Sequence, residues 1–309
     1  MDRLTLARRL AWTIVCLRVL AGFAIPDSPP RPALRSGDYT ILAGDFHVHS
    51  FPGDGTLPPW ALAREASRRG LDVIGLTNHN NQVSWRLAQA VAWAASLSAM
   101  PWASRGAMMI PGEELTSIGY HMAAIGITRT VAWHQPAAAA ARAIQAEGGV
   151  AIAAHPVFGA RAGLDAAALG AIDGFEAAHP AQHEWPKAAR ELAEFREVAF
   201  AARPSIAAIG STDFHATAPL GLCRTFLFVT DVSERGVLDA IRAGRTVACD
   251  GDGKTYGSPA LSPAVAEACA QAAGSPARDA NAIGSIGALL VWLGCIGLAA
   301  AGVSERDLE

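Results

Sequence analysis

The sequence is poor in charged residues and has no basic excess. Asp, Glu, Lys and Arg make up 17% of the 309 residues, and the formal net charge is -3. Ordinary soluble domains carry about 25% charged residues, so we expect apolar segments beyond a single core. The absence of a positive balance argues against a broad nucleic-acid surface. We therefore expect a small-molecule substrate and no nucleic-acid partner.

Cysteine is also scarce, and its spacing forms no motif. The chain has five cysteines, and no two of them form a Cys-x-x-Cys pair: Cys16, Cys223, Cys249, Cys269 and Cys295. Such scattered positions indicate neither a disulfide framework nor a thiolate metal site. Cysteine usage neither requires an oxidising compartment nor excludes one. The sequence also shows no internal repeat.

The N-terminus has the pattern of a targeting segment. Within residues 1–30, three arginines precede an apolar run from Leu10 to Ile25. A basic stretch before a short apolar run is typical of a secretory signal, and a membrane anchor has a similar pattern. Arg18 lies inside the apolar run and counts against both; an amphipathic surface helix is the alternative. Residues 31–37 are predicted to be a linker.

The C-terminus predicts a transmembrane helix. Residues 282–303 carry no charge, and about 20 apolar residues suffice to cross a bilayer. A buried helix of a soluble domain is the alternative. A linker, 251–281, precedes this segment and a short tail, 304–309, follows it. If both ends insert with the N-terminal arginines in the cytoplasm, the middle domain is membrane-anchored and extracytoplasmic. The alternative is the cytoplasmic face of the membrane.

Between the ends, strand-like and helix-like segments alternate. The predicted strands are 41–48, 73–77, 107–110, 122–127, 150–154, 174–177, 206–210, 225–229 and 246–249. The predicted helices are 58–69, 83–97, 136–147, 186–197 and 233–243. Strands separated by helices of this length indicate βα units and an α/β fold with a parallel sheet or barrel.

Ionisable residues follow the ends of these apolar strands. His47 and His49 are two residues apart on a strand, so their side chains point to the same side. Similar groups at or after the later strands are His79, Glu114, His155, Glu176, His179, Asp213 and His215. In a closed βα arrangement the carboxyl ends of the strands converge on one face. Convergent carboxylates need a shared cation, and a His/Asp/Glu set without thiolates suits zinc, manganese or iron. Taken singly, each residue is better explained as a capping group, a backbone-bonded group or a surface group.

The order of these motifs resembles the PHP (polymerase and histidinol phosphatase) metallohydrolases. The matching segments are 45–50, 54–55, 70–80, 111–116, 155–156 and 210–215, all within a domain spanning about 38–250. Two further stretches, Gly119–His121 and Arg224–Thr225, look like the carbaryl-hydrolase-related branch of that family.

The resemblance implies a distorted (β/α)7 barrel with two or three divalent metal ions. By motif, one metal would be held by His47, His49, Glu114 and Asp213. Glu114 would bridge to a second metal, which His121 and His155 would also hold. A third metal would be held by Asp54, His79 and His215.

Three positions depart from the family pattern or leave it open. Asn78 stands where the family usually has Asp, so a carboxylate that would support His79 is missing and the third site is expected to be weaker. Thr212 lengthens the usual Gly-Ser-Asp by one residue. Glu113 could replace Glu114 as the ligand, although the alignment of motifs favours Glu114.

The predicted activity is metal-dependent hydrolysis, most simply of a phosphoester, with a hydroxide that bridges two metals as nucleophile. Asp54 or His179 would protonate the leaving group, and Arg224 or Arg161 would bind an anionic substrate group. For the arginines, surface solvation is the alternative. A carbamate, ester or amide hydrolase would use the same metals. A membrane-tethered metal-binding module without turnover is the third hypothesis.

Overall fold

The structure is a computed structural model that describes residues 31–97, 106–215 and 218–274, with six isolated positions before residue 31. Most of the predicted targeting segment, 1–30, and all of the predicted span, 282–303, lie outside the described residues. No helix within the described ranges combines the length and the apolar character that crossing a membrane requires.

The described chain contains twelve strands and eight α-helices. The strands are β1 (Leu34–Ser36), β2 (Tyr39–Val48), β3 (Val73–Leu76), β4 (Met108–Ile110), β5 (Gly112–Thr116), β6 (His121–Ile125), β7 (Val150–Ala153), β8 (Gly174–Ala178), β9 (Ala207–Gly210), β10 (Arg224–Val229), β11 (Thr246–Cys249) and β12 (Thr255–Gly257). The helices are α1 (Pro59–Arg68), α2 (Val83–Leu97), α3 (Ala137–Ala146), α4 (Ala166–Ala171), α5 (Ala181–Glu184), α6 (Pro186–Ala202), α7 (Glu234–Arg242) and α8 (Ala266–Ala273).

The strands form two sheets. The first has the order β12-β11-β10-β2-β3-β4 with β1 paired to β2, and the second has the order β5-β6-β7-β8-β9. Only the runs β2-β3-β4 and β7-β8-β9 are parallel; the other pairs are antiparallel. The α/β class is confirmed, whereas a wholly parallel arrangement is wrong. Isolated bridges Val48–Phe214 and His79–Glu114 join the sheets, and closure into a (β/α)7 barrel stays a prediction.

The two sheets share one buried apolar core. Phe46 of β2 packs in the same cluster as Ile125, Ile152 and Ile209 of the second sheet, and all four side chains are fully buried. An irregularity in the pairing of β2 with β3 lies between Asp45 and Val48. Leu42 and Phe46 belong to this shared core, but Val48 belongs to a different cluster. Phe46 and Val48 are two residues apart and yet pack on different sides of β2, so the irregularity reverses the alternation of side chains along this strand. The two residues on either side of Val48, His47 and His49, are thereby turned toward the space between the sheets.

The domain is longer than the sequence predicts. The predicted linker 31–37 contains β1, and the ion pair of Arg31 with Asp72 fastens it at 2.9 Å. The predicted linker 251–281 contains β12 and α8. A disulfide joins Cys249 of β11 to Cys269 of α8. Both linker predictions are therefore wrong over these described residues, which belong to the folded domain.

Candidate metal centre

The nine predicted ligands come together in one cluster, most of them near the carboxyl end of a strand. His47 is the last residue but one of β2, His79 follows β3, and Glu114 lies in the middle of β5. The others are supplied by neighbouring strand ends and turns: His49, Asp54, His121, His155, Asp213 and His215. The ligand atoms of eight of the nine fall into three groups, each with all atoms within 4.8 Å: His49/Asp54/His79/His215, His47/Glu114/His155 and His47/His49/Asp213. His121 is in none of these groups but contacts Glu114.

Glu114 is the shared member at the middle of the cluster. Its Oε1 lies 2.7 Å from His121 Nδ1 and 3.2 Å from His155 Nε2. Its Oε2 lies 2.7 Å from His79 Nδ1, 3.4 Å from His47 Nε2 and 3.5 Å from His49 Nε2. The carboxylate is fully buried. Each oxygen therefore faces a different set of histidines, His121 and His155 on one side and His47, His49 and His79 on the other, which is the arrangement that the predicted bridging role requires.

Asp213 completes the group around the His-x-His motif. Its Oδ1 lies 3.2 Å from both His47 Nε2 and His49 Nε2. The extra residue, Thr212, does not displace it. The Thr212 N–H donates to Asp45 Oδ1 at 3.0 Å, and Asp213 itself adopts a left-handed φ of 52°. The insertion is thus absorbed in the backbone after β9, and the carboxylate still reaches the histidines.

Asp54 contacts all three histidines of the third group. Its Oδ2 lies 3.0 Å from His79 Nε2 and 3.1 Å from His215 Nε2, and its Oδ1 lies 3.1 Å from His49 Nδ1. Burial alone would raise the pKa of Asp54, but hydrogen bonds from these histidines hold it below its usual range. The carboxyl group is therefore ionised, which suits a ligand and argues against its predicted role as proton donor.

Three ligand atoms of the cluster are buried without a hydrogen-bond partner in the described part of the chain: His47 Nε2, His49 Nε2 and Asp213 Oδ1. Burying a polar atom unpaired is costly, and a missing ion is one of the few explanations for it. The nitrogen and carboxylate donors suit zinc, manganese or iron. The residues present therefore fit divalent metal ions.

The electrostatics of the cluster favour positive charge. Burial would lower the pKa of His47, but the carboxylates of Asp213, Glu176 and Glu114 raise it well above its usual value. Burial would raise the pKa values of Glu114 and Asp213, but the facing imidazoles hold both well below the usual range. The carboxylates thus remain ionised and create a field that a divalent cation would satisfy.

Glu176 is a functional residue that the predicted ligand set omits. Its Oε1 accepts from His47 Nδ1 at 2.8 Å, and its Oε2 accepts from the His155 backbone N–H at 2.6 Å. A carboxylate on Nδ1 fixes the tautomer, so that the lone pair on His47 Nε2 faces the cluster. Its place at a strand end between His155 and His179 was the sequence signal that could have identified it.

The contacts of Asn78 and Glu113 show what these two side chains do. Asn78 does not support His79; its Nδ2 donates to the carbonyls of Ser50 and Pro52, and its Oδ1 accepts from the Ser50 N–H. It fixes the turn that carries Asp54, and the expected weakness of the third site stays a prediction. Glu113 turns away from the cluster, and its Oε1 accepts from the Val131 N–H at 2.7 Å. Glu114 is the residue that reaches the histidines.

His179 lies at the cluster but is oriented as a donor. Its Nδ1 accepts from the Ala181 N–H at 3.1 Å, so the neutral ring carries its proton on Nε2. That buried Nε2 lies 3.7 Å from Asp213 Oδ2 and has no hydrogen-bond partner among the described residues. A protonated Nε2 cannot ligate a metal, but it can donate to a substrate oxygen.

The two arginines proposed for substrate binding are engaged elsewhere. The Arg224 guanidinium donates to the carbonyl oxygens of Gly221 and Arg69. Arg161 pairs with Glu194 at 3.1 Å. Arg224 is therefore a structural residue that ties the start of β10 to the end of α1, and its predicted catalytic role is not retained.

Comparisons with known proteins place the fold. No protein-family model matches the chain, and no curated protein matches it in sequence. A crystal structure from Bacteroides vulgatus ATCC 8482, a two-domain protein containing a predicted PHP-like metal-dependent phosphoesterase, superposes with a TM-score of 0.58 and 22% identity, over 78% of this chain and 74% of that one.

Two other solved structures show weaker likeness. A candidate metal-dependent phosphoesterase from Bifidobacterium adolescentis ATCC 15703 has 18% identity and a TM-score of 0.41, over 64% of this chain and 96% of that one. An amidohydrolase from Chromobacterium violaceum, with bound sulfate and no metal, has 19% identity and a TM-score of 0.39, over 56% and 87%. The likeness to the Bacteroides vulgatus structure establishes the fold: this chain has a PHP-like fold.

Proposed function

We propose that the protein is a metal-dependent hydrolase that cleaves phosphoesters. The observation that carries the proposal is Glu114, whose two oxygens face different sets of histidines inside a buried cluster of metal-ligand side chains. Such a carboxylate is suited to hold two cations side by side. The PHP-like phosphoesterase with the same fold supports the proposal.

The residues of the cluster have different roles in the proposed reaction. Divalent ions at such a paired site supply Lewis acidity toward a phosphoryl or carbonyl oxygen and an activated water. Glu114 and Asp213 hold negative charge at the centre, and Glu176 orients His47. His179 directs its Nε2–H toward the same space and donates to the leaving oxygen. Asp54 remains an ionised ligand, so His179 is the better of the two predicted proton donors to the leaving group.

The test is phosphate release from a phosphomonoester and a phosphodiester by the full chain, reconstituted with manganese or zinc. We expect metal-dependent turnover, and we expect His47→Ala to abolish it. His134→Ala provides the matched control, because His134 is an exposed histidine outside the cluster. Turnover that survives both chelation and His47→Ala would overturn the proposal.

A carbamate, ester or amide hydrolase is the second candidate, and one observation favours it. Neither of the arginines predicted to bind an anionic group faces the cluster, since Arg224 bonds backbone carbonyls and Arg161 pairs with Glu194. A neutral carbonyl substrate needs no such cation. Cleavage of an aryl carbamate without phosphate release from either phosphoester would select this reading. Metal binding without any turnover would select the third hypothesis, a membrane-tethered metal-binding module.

We also infer that the catalytic domain lies in an oxidising, extracytoplasmic compartment. The Cys249–Cys269 disulfide supports this placement, because disulfides persist in secreted and periplasmic proteins and are rare in the cytosol. The membrane tether stays a prediction from the terminal segments. Peptide mapping of the native chain without reductant tests the compartment: a linked Cys249–Cys269 peptide is expected, and two free thiols would contradict it.

A further inference from the structure

A pair of exposed aromatic rings lies on the two chain segments that follow His155 and His179 of the metal centre. His155 and His179 follow the adjacent parallel strands β7 and β8, and their ring centroids are 5.5 Å apart. Phe158 follows His155 by three residues and Trp185 follows α5, six residues after His179; their ring centroids are 6.0 Å apart at 71°. The inner histidine side chains are 16% and 9% exposed, whereas Phe158 and Trp185 are 45% and 51% exposed. The two segments therefore carry an inner, buried pair of rings and an outer, open pair.

The backbone of Phe158 adopts a strained conformation. Its φ is 53°, a left-handed conformation that bulky residues rarely adopt. Its N–H donates to Glu191 Oε2 at 2.6 Å, which fixes this conformation. Strain of this kind clusters at functional sites, and here His155 and Asp213, two predicted metal ligands, are left-handed as well. A strained backbone that exposes an aromatic ring instead of burying it needs a reason beyond packing.

The surroundings of the pair fix its orientation. Lys187 Nζ lies 5.6 Å from the centroid of the Phe158 ring and 3.8 Å from Glu191 Oε1. The lysine thus covers one side of Phe158, and Trp185 meets Phe158 in a T-shaped arrangement. Two rings bury too little area for a stable protein interface, which needs about 1,200 Å² or more. Their size matches a single aromatic group of a small molecule.

We propose that Phe158 and Trp185 form a subsite for an aromatic ring of the substrate, next to the bond that is cleaved at the metal centre. The inference rests on the proposed hydrolase function, since it defines which substrates that centre accepts. An aromatic ring stacks against or meets the edge of these side chains more favourably than a saturated ring of similar size does. The subsite therefore acts on binding and not on the chemical step.

The test compares benzyl phosphate with cyclohexylmethyl phosphate on the full, metal-reconstituted chain. Both release a primary alcohol and phosphate, so they differ chiefly in the aromaticity of the ring. The unmodified protein should prefer the benzyl ester. Trp185→Ala and Phe158→Leu should each reduce that preference about five- to ten-fold through KM, with kcat unchanged, as expected for binding shared by ground and transition states.

Controls separate aromatic recognition from a general structural effect. Trp185→Phe should retain most of the preference. Trp93→Ala, at a tryptophan of α2 that is 67% exposed, should leave both KM values unchanged. Calorimetric binding of benzylphosphonate and cyclohexylmethylphosphonate gives a readout without turnover, and the benzyl compound should bind more tightly only while both rings are present.

The outcomes of the two proposals are distinguishable. Equal binding of the two phosphonates by the unmodified protein, or a ring preference that survives both Trp185→Ala and Phe158→Leu, would overturn the aromatic subsite even if phosphate is released. Ring-dependent binding without hydrolysis of either ester would overturn the phosphoesterase function and support the subsite.

Discussion

Glu176 orients two residues of the centre with a single carboxylate. It accepts from His47 Nδ1 and from the backbone N–H of His155, and it is fully buried. In Glu176→Gln, an amide N–H2 facing His47 Nδ1 would favour the tautomer with the proton on Nε2. That tautomer cannot ligate a metal at the atom that faces Glu114 and Asp213.

We therefore expect Glu176→Gln to weaken metal affinity about 10- to 100-fold, the usual effect of removing the partner of a ligating histidine. Competition with a chromophoric chelator measures it. Glu147→Gln is the matched control, since Glu147 pairs with Arg129 and not with the cluster. Unchanged metal affinity in Glu176→Gln would refute the orienting role.

Glu113 makes a pH-dependent contribution to stability. Burial raises its pKa from 4.5 to about 7. The folded state therefore binds a proton more tightly than the unfolded state, and the stability associated with this proton is present below pH 4.5 and lost as the pH rises through 7. The loss amounts to about 3 kcal/mol at most.

Glu113→Gln keeps an acceptor for the Val131 N–H and removes the charge. The free energy of unfolding of the metal-free variant should therefore increase, relative to that of the unmodified protein, between pH 4.5 and pH 8. Urea titrations at the two pH values measure this difference. Parallel pH dependences for the two proteins would show that Glu113 does not titrate in this range.

At the scale of elements, the disulfide fixes the C-terminal end of the described domain. Cys249 and Cys269 are 20 residues apart, and they attach α8 to β11, the strand beside β10. Closing a loop of this length restricts the unfolded chain, which contributes about 3 kcal/mol.

We expect the double variant Cys249→Ala, Cys269→Ala to lose about 3 kcal/mol of unfolding free energy in urea. Dithiothreitol should destabilise the unmodified protein by a similar amount and leave the double variant unchanged. If the reductant has no effect on the unmodified protein, then α8 contributes to stability through its noncovalent contacts alone.

Some elements could be predicted from the sequence and others could not. The helix expected at 83–97 is found with the same bounds, and that expected at 58–69 differs by one residue at each end, because proline starts and apolar periodicity are local signals. Strand direction is not local: β6 and β10 are antiparallel to their neighbours, although their side-chain alternation is that of any strand. The helix α8 was missed because a disulfide to Cys249, 20 residues earlier, holds it in place, whereas β1 was missed although it pairs locally with the start of β2.

At the scale of the whole molecule, convergence of the site was predictable because strand ends of an α/β fold meet on one face. All nine predicted ligands lie in one cluster, and the contacts select Glu114 over Glu113. The direction of Arg224 was not predictable, since its acceptors are carbonyls of Gly221 and Arg69 that only the folded chain brings near. Sequence motifs identify residue types for a site; long-range contacts decide which of them face it.

The central claim is that the cluster around Glu114 holds metal ions. The most direct measurement is the metal-to-protein ratio of the full chain, by elemental analysis after reconstitution and removal of unbound ions. The three donor groups predict two or three ions per chain, and Glu114→Ala should lose at least one because Glu114 serves two sets of histidines. A ratio below one ion per chain, or an unchanged ratio in Glu114→Ala, would contradict the account.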